Sequence, residues 1–344
     1  KLVRHGSSRG SPRASSSHRE RPSLSTASLS MPWGSRCVAL AGLVAASATK
    51  SKTRSSVLLQ VTPNGQASYV RKERVEPEEP ALASLLEALA GHEDVGQDTR
   101  SLFRSLRVCA QCEDFQRFGE PNDGGYMTCM DAMPPGAVRA AYSLGVEHHD
   151  QWSDDVARKL KVPVNQFDCT VSVGPPCADC TFFPKCIRSE DGKNDGFPGR
   201  SVTMGKALDM SGQAEAPDRS LLLKMDIEGS EWPILVAENK DLLRKFRQII
   251  IEFHGLDQEA RHPTYVQALS TLREAGFHVA HIHGNNYAGM YNIAGYRLPN
   301  VLEVTYVSGS DQIEHCVSGT LELPLDAPNN PSAPELPPAK LAAA

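Results

Sequence analysis

Three carboxylates fall within six residues in Asp226-Ile-Glu-Gly-Ser-Glu231, directly after the apolar run Ser220-Leu-Leu-Leu-Lys-Met225. A carboxylate at such a place can orient a hydroxyl or an amine and take its proton. A second acid-bearing run, Arg247-Gln-Ile-Ile-Ile, ends in Glu252-Phe-His254. Its imidazole can hold or pass a proton near neutral pH. Asp168 closes the shorter run Val164-Asn-Gln-Phe167, where two carboxylate oxygens can accept both hydroxyls of a ribose. Ser143-Leu-Gly145 closes another, and glycine lets backbone approach a ligand closely. Asp226, Glu228 and His254 are therefore the catalytic candidates, with Glu252 beside them.

These residues need elements that bring them to one rim. Apolar runs alternate with helical stretches, which argues for a parallel sheet with crossover helices. The expected strands are Arg139–Gly145, Val164–Asp168, a short Arg200–Met204, Ser220–Asp226, Arg247–His254, and a closing pair Phe277–His283 and Val301–Val307. Helices are expected at Ala81–Ala90, Asp150–Leu160, Trp232–Phe246 and Thr264–Ala275, the last closed by Gly276. In an open parallel sheet a ligand lies beyond the carboxyl ends of the strands. One acid at a strand end is ordinary. Several on one rim suit a nucleoside-type ligand. A Gly turn with an acid about twenty residues later also fits a dinucleotide, so a nicotinamide-dependent oxidoreductase stays open as a weaker reading.

The motifs also carry a resemblance. Leu223-Lys-Met-Asp-Ile-Glu-Gly-Ser-Glu231, followed by Trp232, resembles the central motif of FkbM-type methyltransferases. Asn122-Asp-Gly-Gly-Tyr126, Tyr142-Ser-Leu-Gly-Val146 and Phe167-Asp-Cys-Thr170 resemble a eukaryotic branch of secreted or membrane-anchored methyltransferase-like proteins. His281-Ile-His-Gly-Asn-Asn-Tyr287 and Leu298–Tyr306 resemble the tail of that domain. The resemblance implies a Rossmann-like class I α/β fold: a mostly parallel seven-stranded sheet, helices on both faces and a closing antiparallel strand. It implies S-adenosyl-L-methionine as cofactor; the carboxylate and histidine rim suits O-methylation, with a hydroxyl of a small molecule or glycan as acceptor. Ser143, Gly145 and Glu147 would line the methionine part of the cofactor, Asp168 would hold the ribose, and Asp226 would sit beside sulfonium and acceptor. His283, Asn285 and Asn286 are the expected substrate contacts. The chain departs from the usual glycine-rich first motif, with Gly145 followed by Val-Glu-His-His, so Glu147 or Asp150 would supply the missing acid. A degraded first motif also fits a non-catalytic Rossmann-type module that binds a glycan or protein.

Plainer roles compete with these. Glu231 can serve only to start the helix at Trp232 and favour its dipole. Asp226, Glu252, His254, His281 and His283 could together ligate a divalent ion, but they are scattered along the chain, and no metal is assigned.

The rest of the chain bears on location and boundaries. Residues 1–48 form a leader, with Met31 as the expected start unless the sequence is a fragment. Arg36 and the apolar run Cys37–Ala48 fit a signal peptide over 31–48, and the run is shorter than the roughly twenty residues of a spanning helix. A secretory or extracellular location is expected; organelle targeting and a cytoplasmic location are the alternatives. Removing Cys37 leaves eight of the nine cysteines, enough for four disulfides of unspecified pairing. Cys109-x-x-Cys112 and Cys177-x-x-Cys180 with Cys186 would otherwise suit zinc. A net charge of −5 gives no general attraction to nucleic acid. The expected organisation is a linker with a short helix at 49–100, the methyltransferase domain at 101–312 and a disordered tail at 313–344.

Overall fold

The structure, a computed structural model, describes residues 54–61, 67–74, 82–192, 196–309, 312–317, 323 and 325–333. The leader expected at 1–48 lies outside the described residues. The chain divides into two units, residues 1–76 and 77–344. In the first, Arg54–Val61 pairs antiparallel with Ala67–Arg74. The sequence between them, Thr62-Pro-Asn-Gly-Gln66, carries the Asn-Gly pair that favours a hairpin, so part of the expected linker is paired strand.

The second unit is built on seven strands: β1 (Ala140–Leu144), β2 (Val164–Phe167), β3 (Cys180–Phe183), β4 (Leu221–Met225), β5 (Phe246–Phe253), β6 (Phe277–Gly284) and β7 (Leu302–Ser308). Their order across the sheet is β6-β7-β5-β4-β1-β2-β3. Every neighbouring pair is parallel except those of β7, which runs antiparallel to β5 and β6. This is the expected mostly parallel sheet with its closing antiparallel strand. After β1 the chain leaves in one direction to build β2 and β3, then returns to lay β4 on the other side of β1. The crevice at that reversal, between the ends of β1 and β4, is where such sheets bind ligands.

Side chains alternate between the two faces, as the two-residue period of a strand dictates. Tyr142 and Leu144 of β1, Leu221 and Leu223 of β4 and Ile249 and Ile251 of β5 enter one core. Ala141, Leu222 and Ile250, at the alternate positions of the same strands, enter the other. The first face is covered by helices α1 (Leu82–Gly91), α2 (Gln97–Ser105), α4 (Met204–Met210), α5 (Glu231–Ala237) and α7 (His262–Glu274), and the second by α3 (Gln151–Leu160). None of the described helices is long and apolar enough to cross a membrane.

Four local expectations are corrected. The third strand is not Arg200–Met204: Ser201–Val202 pairs with Cys186–Ile187 outside the main sheet. Cys180–Phe183, absent from the expected strands, fills the place as β3. An edge strand needs a partner on one side only, so the prolines flanking it are tolerated. The helix expected over Trp232–Phe246 is two, α5 and α6 (Lys240–Leu243), because Glu238 is extended and Asn239 caps the second through its side chain. The tail expected at 313–344 is partly docked. Gln312–Val317 pairs with Val108–Ala110, and Asn329 is buried.

The eight cysteines pair as Cys109–Cys316, Cys112–Cys129, Cys169–Cys186 and Cys177–Cys180, with Cα atoms 4.2 to 6.0 Å apart. The zinc alternative therefore falls. Cys109–Cys316 joins residues 207 apart in sequence. In the chain-entropy picture such a bridge contributes about 5 kcal/mol.

Candidate active site

A cavity of about 570 Å³ opens across the carboxyl ends of β1, β2, β4 and β5. At its β1–β2 end, Gly145 takes φ 77°. A Cβ there would stand 1.7 Å from the Asp226 carbonyl oxygen, so the close approach of the two strand ends requires glycine. Asp168 faces the following loop. Its Oδ2 accepts from the amides of Val146 (3.0 Å) and Glu147 (2.8 Å), and its Oδ1 from the amide (2.7 Å) and hydroxyl (2.6 Å) of Thr170. Burial alone would raise the Asp168 pKa, but these donors hold it below the usual carboxylate range. A carboxylate has about four lone-pair directions, and all are occupied. Asp168 lies where the sequence placed it, but in this conformation it pins the loop, and a ribose would have to displace Thr170.

Other residues at this end divide clearly. Asp150 lines the cavity and is also the N-cap of α3, accepting from the Ser153 amide and from Gln166. Glu147 lines the cavity, exposed and at φ 44°. Phe167 and Ile187 supply apolar wall, with the Cys169–Cys186 bridge and Arg188 beside them. Ser143 is a correction: it is fully buried within β1 and does not line the cavity.

The β4–β5 end gathers the charges. Asp226 follows β4, and its Oδ2 accepts from Tyr126 Oη (2.9 Å) and Lys224 Nζ (3.3 Å). The same phenol oxygen lies 3.0 Å from Glu252 Oε2, so its single proton serves one of the two carboxyl groups at a time. Asn285 Nδ2 donates to Glu252 Oε1 at 2.9 Å. Burial first, then Asp226 and Glu303, push Glu252 well above the usual carboxylate range. Burial and the same carboxylates raise Tyr126, which therefore stays a donor. Burial would lower Lys224, yet Asp226, Asp150 and Glu252 hold it above its ordinary value. Its ammonium donates also to the Gly145 carbonyl at 2.8 Å, linking the two ends of the cavity.

His254 follows β5. Its carbonyl accepts from Trp232 Nε1 at 2.8 Å, and Trp232 itself stacks between Phe253 and Tyr265. Its Nδ1 lies 3.1 Å from Glu231 Oε1. Burial would lower the imidazole, but Glu231, Glu252 and Asp226 raise it to about 9. At neutral pH it therefore holds its proton. Glu231 begins α5, as the plainer reading expected, and is also fully buried against His254. Glu228 stands exposed at φ 57° on the loop between β4 and α5.

The expected substrate contacts separate. Asn285 lines the cavity. His283 and Asn286 do not: His283 Nδ1 pairs with Glu303 and Asn286 Nδ2 donates to the Asn330 carbonyl. His281 pairs with Asp326, so neither strand histidine joins Asp226. Tyr126 and Lys224 were not singled out from the sequence. Both stood inside quoted motifs, but nothing in their spacing tells that a phenol would reach a carboxylate one hundred positions away.

The comparisons with known proteins agree with this geometry in part. No curated protein matches the chain significantly. Among solved structures, the crystal structure of methyltransferase CalO6 is similar at 12% identity and a TM-score of 0.22, over 52% of this chain and 60% of that one. So loose a likeness carries no argument, and the chain spans less than two thirds of that protein. The family model of the methyltransferase FkbM domain matches residues 208–279, which run from α4 to the start of β6 and hold Asp226, Glu228, Glu231, Glu252 and His254. The resemblance read from Leu223–Glu231 is thereby borne out: over residues 208–279 this chain is similar to the methyltransferase FkbM domain.

Proposed function

We propose that the protein is an S-adenosylmethionine-dependent methyltransferase that methylates a hydroxyl of a small molecule or glycan. The observation that carries this is the cavity itself, open from the Gly145 turn to the Asp226–His254 cluster. A Rossmann-type module kept only for binding would be expected to fill that space with side chains, so the open cavity favours the enzyme. The residues fit the cofactor. Phe167 and Ile187 offer an apolar wall for a planar base, Glu147 is the acid with free access to ribose hydroxyls, and the Gly145 turn lines the cavity where the amino-acid part would lie. When bound, S-adenosylmethionine supplies an electrophilic methyl group.

The chain's own groups act on the acceptor. Asp226 orients its hydroxyl and takes its proton, with Tyr126 and Lys224 holding the carboxylate in place. Asn285 and exposed Tyr287 border the acceptor side. The four disulfides suit an oxidising compartment, in keeping with entry to the secretory pathway.

Calorimetry and thermal shift of the purified chain with high-micromolar S-adenosylmethionine test the reading. A binding heat and a raised melting temperature are expected; their absence would remove its main support. Labelled cofactor against a panel of hydroxyl-rich metabolites and glycans would then identify the acceptor.

A further inference from the structure

We propose that His254, Asp226 and Glu228 form a divalent-cation site at the acceptor end of the cavity, with Glu252 at its edge. His254 Nε2 lies 3.9 Å from Asp226 Oδ1, 3.6 Å from Glu228 Oε2 and 3.8 Å from Glu252 Oε1. The donor atoms of Asp226, Glu228 and His254 all lie within 4.8 Å of one another. Two donors each about 2.1 Å from one ion stand about 3.4 Å apart in a tetrahedral site, and about 3.0 Å (cis) or about 4.2 Å (trans) in an octahedral one. Closing by less than an ångström satisfies that geometry, and Glu228, exposed on its loop, has freedom to move.

The imidazole is aimed by a separate device. Glu231, fully buried, holds Nδ1 at 3.1 Å and is itself fixed by the Ile227 amide at 2.9 Å. Metal-ligating histidines are oriented in this way, by a carboxylate on the nitrogen that does not bind the ion. The second oxygen of Glu231 is buried without a hydrogen-bond partner. Asp226, Glu228, Glu231 and Glu252 thus crowd one imidazole, with Lys224 as the neighbouring fixed cation. Gathering carboxylates away from water is costly unless positive charge accompanies them. One nitrogen among carboxylate oxygens suits Mn²⁺ or Zn²⁺, and the ion would take the place of the proton that His254 otherwise holds on Nε2.

The sequence assigned no metal because the ligands are scattered along the chain. The fold brings Asp226 and His254 together by pairing β4 with β5, adds Glu228, and leaves His281 and His283 out. The role of the ion rests on the methyltransferase reading: beside Asp226 it would polarise the acceptor hydroxyl and favour acceptors with two neighbouring oxygens. The existence of the site does not rest on that reading.

Chelator-stripped full chain titrated with MnCl₂ by electron paramagnetic resonance, and separately with ZnCl₂ by calorimetry, tests the site. One Mn²⁺ or Zn²⁺ per chain is expected. Glu228→Gln, at an exposed position that cannot disturb the core, should weaken binding at least about tenfold. Asp241→Asn, exposed and outside the lining of the cavity, should leave it unchanged. No stoichiometric binding of either ion, or binding indifferent to Glu228→Gln, overturns the proposal and leaves protonated His254 as the cation of the cluster. S-adenosylmethionine titrated into the same stripped samples separates the two readings. Cofactor binding without any ion site sinks only the metal; ion binding with no cofactor binding sinks only the methyltransferase.

Discussion

The two ends of the cavity use carboxylates in opposite ways. At the β1–β2 end, Asp168 and Asp150 accept hydrogen bonds chiefly from neutral amides and hydroxyls of the loops around them. Their charge is spent on holding backbone in place. At the β4–β5 end, Asp226, Glu228, Glu252 and Glu231 face one another across a phenol, an ammonium and an imidazole. There Asp226, Glu231 and Glu252 are held by neighbouring groups, while Glu228 stands exposed on its loop. The first end is scaffold; the second is poised to take a cation or a proton.

That contrast breaks most sharply at Asp226. Asp226→Asn keeps shape and can still accept from Tyr126, but it loses the base. Turnover should fall by about 10²–10⁴ while cofactor affinity stays within a few fold. Single-turnover rates and calorimetry on one preparation decide it, and an unimpaired Asn variant would leave the residue a mere turn former.

The next largest effect is expected at Asp168, where the structure changes what is being tested. A ribose clamp would lose affinity alone. A loop pin loses stability as well. Asp168→Ala should weaken cofactor binding by about ten- to a hundredfold and destabilise the fold by about 1.5–3 kcal/mol, as loss of charge-assisted hydrogen bonds does. A normal melting temperature with lost affinity would restore the clamp. The charge part of this contribution has a definite pH dependence. The folded carboxyl is held below its unfolded value of about 3.9, so it stabilises above that value and the benefit is lost as pH falls through the lower folded pKa. The stability gap between wild type and Asp168→Asn should therefore narrow below about pH 4.

Tyr126→Phe gives the smallest expected change. Removing the hydroxyl shared by Asp226 and Glu252 should cost about 1–2 kcal/mol of stability and about tenfold in turnover. Loss of stability with kcat untouched would move Tyr126 from the acceptor end to the scaffold.

Much of this was legible from local pattern. The apolar runs at β1, β2, β4 and β5, the helix starting at Asp150 and the closing β6–β7 pair all stand close to where periodicity put them, because a buried parallel strand must be apolar on both faces. Asp226, Gly145 and Asp168 sit at strand ends, and the rim follows from strand direction alone. What failed were features set by neighbours. β3 is an edge strand whose only qualification is a partner, and the short α5–α6 break depends on Asn239 capping within a helical-looking stretch.

The chain itself determined which strands exist, the Gly145 turn that no other residue could make, and the acids at the sheet's carboxyl edge. Only tertiary structure decided their use. Asp168 meets four donors because the loops after β1 and β2 converge on it. Tyr126 reaches Asp226 because the Phe115–Gly119/Gly125–Cys129 hairpin packs on the second face. His254 faces three carboxylates because Glu231, on a different element, turns its ring. Hydrogen bonding and Coulomb forces depend on distance in space, and sequence separation does not carry that distance.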